Sequence, residues 1–156
     1  MIYEDLVRDF AERTRTNLCA LDSLLADGRE LYETTQLMNS MLGLLVFPRE
    51  RFVGQIPKTP ILELQKAGWP IPKVLNGFPQ VRDPRQLIKF LRNAIAHFNI
   101  EFIADESREM TGLRLWNTVS PSEKKTREAE LSLSDFRGIA ERLTDLLLED
   151  CHPTNL

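Results

Sequence analysis

Seven of the nine prolines lie between positions 48 and 84, and this cluster constrains the fold more than any other feature of the chain. Proline fixes its own φ, lacks an N–H donor and pushes the preceding residue out of the helical region. No long helix or central strand therefore crosses this stretch. The spacing predicts helical blocks on either side of a loop-rich connection, with one or two helical turns around residues 61–67. A connection this long with little regular structure often carries function. Trp69 and Phe78 are its natural anchors to a core.

Two helices are expected ahead of the prolines. Residues 3–26 set Leu6, Phe10, Leu18, Leu21, Leu24 and Leu25 among Asp, Glu and Arg at amphipathic spacing, and Asp27-Gly28 provides the stop. Residues 29–47 form a second, strongly apolar helix that ends at Pro48. On it Gln36, Asn39, Ser40 and Gly43 make a small, polar stripe. That stripe suits a close helix–helix contact, and equally a groove or subunit seam.

Beyond the prolines, Asp83-Pro84 is a helix start, with Asp at the N-cap and Pro at the first helical position. The helix should run from 84 to 97 or 98. Residues 99–103 and 113–119 then alternate like strands around a polar turn at 105–112, which predicts a β-hairpin. Residues 121–128 read as charged and exposed, and 130–133 as a short third strand. Ser134-Asp135 opens a last amphipathic helix carrying Phe136, Ile139, Leu143, Leu146 and Leu147. The expected fold is mostly α: a helical bundle with a small antiparallel β-hairpin before the last helix, in one domain spanning 1–156.

Composition narrows the function. The chain is 42% hydrophobic and 28% charged, ordinary values for a globular domain. No apolar run approaches the ~20 residues that span a bilayer, and the acidic start argues against a secretory signal, so a cytoplasmic setting with no membrane partner is expected. Cys19 and Cys151 lack Cys-x-x-Cys spacing and read as free thiols. Only two histidines exist, and no metal-ligand cluster, phosphate-cradling Gly-rich loop or Gly-x-Ser-x-Gly elbow accompanies them. No metal or other cofactor is expected. The net charge of −3 argues against a broad surface for coating nucleic acid, so any RNA contact needs a local basic patch.

That patch lies on the 84–97 helix. At about 100° per residue, Leu87, Ile88, Leu91, Ala94, Ile95 and Phe98 fall on one side. Arg85, Lys89, Arg92, Asn93 and His97 fall on the other. Arg92 and His97 diverge by roughly 140° and flank Asn93 rather than touch. Two such patches across a twofold axis would enclose a cleft with two Arg and two His.

The run Arg92-Asn-Ala-Ile-Ala-His97 resembles the Arg-polar-x-x-x-His motif of HEPN domains (higher eukaryotes and prokaryotes nucleotide-binding). A helical hairpin, the motif on a later helix and a terminal helix are similar to the order in that family. His97-Phe-Asn-Ile-Glu-Phe102 and the stretch 32–48 resemble a plasmid- and prophage-associated HEPN nuclease subfamily. The resemblance implies a metal-independent endoribonuclease of toxin or phage-defence type, active as a homodimer on RNA, with an antitoxin or regulatory protein as a further partner. It implies Arg92, Asn93 and His97 as catalytic residues. Arg85 and Lys89 are candidates to guide substrate, although solvated surface charge is their plainer reading. Glu33 is a candidate buried partner for Arg92, or simply a helix-start charge. His97 also suits a helix C-terminus as a plain cation. Toxin members often carry Tyr two residues after the motif His; here Asn99 stands there. A catalytically silent HEPN module binding RNA, a nucleotide or a partner is the alternative.

Overall fold

The computed structural model describes residues 6–46, 56–119 and 122–149. Helix α1 (Leu6–Ala26) and helix α2 (Glu33–Val46) form an antiparallel-type hairpin joined by the turn at Gly28. The short helix α3 (Ile61–Lys66) and strand β1 (Lys73–Val74) interrupt the proline-rich connection. Helix α4 (Pro84–Ala96) follows, then strands β2 (Ile100–Ala104), β3 (Met110–Val119) and β4 (Lys124–Ser132), and helix α5 (Leu133–Glu149). The expected starts of the first helix at residue 3 and of the Pro48 stop lie outside the described residues.

α1 packs on α2 and α5, while α2 also packs on α4 and α5. The helices thus enclose a core in which Ala11, Met41, Leu44, Leu87, Leu91, Phe136 and Ile139 are buried. The β segment is larger than a hairpin. It is a four-stranded antiparallel sheet in the order β1-β4-β3-β2. Residues 124–128, read from sequence as exposed loop, are the first half of β4 and pair with β3. Their polar side chains suit a strand with one solvated face. Leu113, Leu115, Ala129 and Leu131 turn inward onto α4 and α5.

The stripe on α2 splits. Ser40 and Gly43 are buried, whereas Asn39 is exposed. A Cβ on Gly43 would stand 2.0 Å from Phe10 Cζ, so this face is a close contact between α1 and α2. Trp69 is buried in the core and pins the connection, whereas Phe78 is half-buried and stands outside that cluster. The connection is also held by main chain: the Ile61 N–H donates to the Arg82 carbonyl and the Leu75 N–H to the Glu128 carbonyl.

Three helices finish in the same way. After α1, the Gly28 and Arg29 N–H groups donate back to Leu25 and Leu24; after α3, those of Gly68 and Trp69 donate to Gln65 and Leu64. After α4, Phe98 and Asn99 donate to Ile95 and Ala94. This is the Schellman pattern, which needs a left-handed residue just past the helix. Gly28 and Gly68 fill it at φ +74 and +80, but at φ +56 the third is Phe98. Phe98 is 78% exposed, which corrects its expected place among the apolar face. It lies past the helix end, where helical spacing no longer applies.

Candidate functional site

α4 begins where the sequence places it. Asp83 caps the helix by accepting from the Gln86 N–H at 2.9 Å, and Gln86 in return accepts from the Arg82 N–H at 3.2 Å. The first interaction satisfies a donor that the first helical turn leaves open, and the second ties the residue before the cap to that turn. Leu87, Ile88, Phe90, Leu91, Ala94 and Ile95 bury one side of the helix against α2 and β3, fixing its rotation. Phe90 belongs to this buried set although the sequence reading left it out.

The fixed rotation sends the motif outward. Arg92 and Asn93 are half-buried, and His97, which caps the C-terminus of α4, is exposed. Among the described residues neither the Arg92 nor the His97 side chain has a hydrogen-bond or ion-pair partner. A guanidinium and an imidazole are therefore both free for a ligand. The two are five residues apart, so about 7.5 Å of rise and 140° of rotation separate them along the helix.

The other candidates divide. Lys89 is exposed, one turn before Asn93 on the same stripe. Arg85 is half-buried and its Nε donates to the Ile56 carbonyl, which ties α4 to the connection and removes Arg85 from the open stripe. Glu33 is not beside Arg92. It is the first residue of α2, exposed, and pairs with Arg137 at 2.9 Å, which corrects its expected role as a buried partner and favours the helix-start reading. Arg137 also pairs with Asp22 at 2.5 Å and Glu141 at 3.1 Å, joining α1, α2 and α5. Burial works against its charge, but the hydrogen bonds it donates to Asp22, Glu141 and Glu33 outweigh that and hold the guanidinium firmly protonated.

Residues that the sequence reading missed lie beside the motif. Arg82 from the connection and Arg127 and Asn117 from the sheet join Gln86, Lys89 and Asn93 around a groove of about 470 Å³. Neither Arg82 nor Arg127 carried a helical or motif signal, because the fold alone brings them to α4. Close by, Glu128 is buried, and accepts from Lys125 Nζ and from Asn76 Nδ2, each at 2.6 Å. The Lys125 hydrogen bond, outweighing desolvation, holds the Glu128 carboxyl below the ordinary glutamate value. Among the described residues no group of three or more His, Cys, Asp or Glu is placed to hold a metal ion, and no helix is long and apolar enough to cross a membrane.

A family model described as HEPN pEK499 p136 matches residues 1–153. The chain belongs to the HEPN family. Searches among curated proteins and among solved structures give no match. HEPN domains are generally associated with RNase or nucleotide-binding roles. In this HEPN chain the Arg-polar-x-x-x-His motif runs from the end of α4 to its C-cap, and the Arg92 and His97 side chains are unengaged among the described residues.

Proposed function

We propose that the protein is a metal-independent endoribonuclease that works as a homodimer, with Arg92, Asn93 and His97 of two protomers around one cleft. The observation that carries this reading is the pairing of family membership with an unpartnered Arg92 and His97 on the open side of α4. RNA brings its own nucleophile, the 2′-OH next to the scissile phosphate. In the reaction the 2′-oxygen attacks phosphorus, its proton passes to a base, and the P–O5′ bond breaks as the 5′-oxygen takes a proton. The products are a 2′,3′-cyclic phosphate and a 5′-OH. Imidazole titrates near neutrality and suits either proton transfer, so His97 takes that role. Arg92 binds the non-bridging phosphate oxygens and stabilises the charge that grows on them. Asn93, between them, orients phosphate by hydrogen bonding.

One helix holds its Arg and His too far around its surface to grip one phosphate tightly from both sides. A second copy across a twofold axis supplies the opposite pair. The exposed Phe98 and Phe102 beside the motif suit such a subunit contact. The reading predicts that wild type cuts single-stranded RNA in EDTA and that Arg92→Ala and His97→Ala do not. Binding without cutting would favour the catalytically silent alternative, and the same cutting rate in both variants would remove the proposed site.

A further inference from the structure

The groove beside the motif has properties that the catalytic reading does not use. Three cations converge on it, Arg82, Lys89 and Arg127, and none has an ion-pair partner among the described residues. No carboxylate lines it, in a chain whose acidic residues outnumber its basic ones by 23 to 20. Arg127 is half-buried, its Nε donates to the Pro79 carbonyl at 3.2 Å, and its guanidinium carbon lies 5.8 Å from the centre of the Phe90 ring. Burial and the neighbouring Arg82 both make its charge harder to hold, lowering its affinity for the proton. An anion would relieve both effects. The same sheet wall carries a second sign of a missing partner, on the residue that pairs with Arg127 across the two strands. Asn117 Oδ1 is buried with no hydrogen-bond donor, the one such side-chain atom among the described residues. An unmet buried acceptor is costly, and a donor from a ligand would satisfy it.

The groove also leads to the motif. Gln86, Lys89 and Asn93 form its α4 wall, and His97 continues the same helix stripe one turn, or about 6 Å, further on.

We infer that this groove is the strand-binding subsite of the enzyme: it holds a nucleotide of single-stranded RNA adjacent to the cleaved bond, with Arg82, Lys89 and Arg127 on its phosphate and Asn117 accepting a hydrogen bond from its sugar or base. The inference builds on the reading of the α4 motif as acting on RNA. Arg82 and Arg127 are binding residues here and take no part in the bond-breaking step.

The test measures binding separately from cutting. A fluorescein-labelled 2′-O-methyl 12-mer, which keeps every phosphate but has no nucleophile, is titrated in EDTA by anisotropy at several salt concentrations. Wild type is compared with Arg82→Gln, Arg127→Gln, the double variant, and Lys66→Gln on α3 as a surface-charge control. Each lost phosphate contact on a single strand lowers the log–log salt slope by about 0.7, so the double variant should lose about 1.4 and the control nothing. Should Arg127→Gln melt early, Arg82→Gln decides alone, because its side chain is exposed and unpartnered. Unchanged slopes in the double variant, while wild type still cuts RNA through Arg92 and His97, would overturn the groove and leave the nuclease reading intact. Slopes that fall as expected in a protein that cuts nothing would support the groove and end the nuclease reading. No binding of the 12-mer by wild type, or equal affinity for AMP, would overturn the strand subsite.

Discussion

Phe98 offers a test of how the motif helix ends. Left-handed backbone costs an L-residue roughly 1–2 kcal/mol, and glycine escapes it. α1 and α3 use Gly28 and Gly68 at this position, whereas α4 uses Phe98, at φ +56, directly after the motif histidine. The ring is 78% exposed, so it contributes about a fifth of a fully buried side chain, or about 0.5 kcal/mol. Phe98→Ala loses that ring and keeps the backbone cost. Phe98→Gly loses the ring and sheds the cost. The glycine variant should therefore exceed the alanine variant by about 1 kcal/mol, which for a chain of 156 residues is a Tm difference of about 2–4 °C. Because both variants lack the ring, any subunit contact it makes cancels between them. Urea unfolding and thermal melts followed by circular dichroism measure the difference. Equal stability of the two variants would refute a left-handed residue at position 98. Strained residues cluster at functional sites; if Phe98 helps to set the motif beside it, both variants should cut RNA more slowly than wild type.

Helix propensity alone favours Gly43→Ala by about 1 kcal/mol. The clash with Phe10 reverses the sign, so the substitution should destabilise by about 1–3 kcal/mol in denaturant titrations, and adding Phe10→Leu should recover part of the loss. Glu128 contributes to stability above its unfolded pKa, near the ordinary glutamate value of 4.5, and that contribution fades as pH falls through its lower folded value. Urea midpoints of wild type should thus drop below about pH 4.5 more steeply than those of Glu128→Gln. If the cleft takes Arg92 from one protomer and His97 from the other, mixing inactive Arg92→Ala with inactive His97→Ala should restore measurable cutting; a mixture as dead as its components would place the working pair within one chain.

What could be read from the sequence was what depends on near neighbours. Asp83-Pro84 defined the start of α4 because capping is decided within four residues, and Leu87, Ile88, Leu91, Ala94 and Ile95 followed from helical period, whereas Phe90, at the edge of that face, did not. Phe98 escaped because periodicity says nothing about the residue beyond the last turn, where the backbone reverses hand. β4 was half missed because Lys124 to Arg127 look like solvated loop until β3 is present to pair with them. Glu33 was misplaced for the same reason: its partner Arg137 is more than one hundred residues away in sequence. The Arg92–Asn93–His97 motif was visible as a local pattern. The Arg82–Arg127 groove was not, since its walls come from a loop, a helix and a sheet.

The chemistry of the cut ends tests the nuclease reading most directly. Wild-type protein in EDTA is incubated with a defined single-stranded RNA, and the products are analysed by mass spectrometry. A 2′,3′-cyclic phosphate on the upstream fragment and a 5′-OH on the downstream one, both lost in His97→Ala, are expected. Fragments with a 5′-phosphate, or cutting that requires added Mg²⁺, would contradict a reaction driven by the RNA 2′-OH, Arg92 and His97.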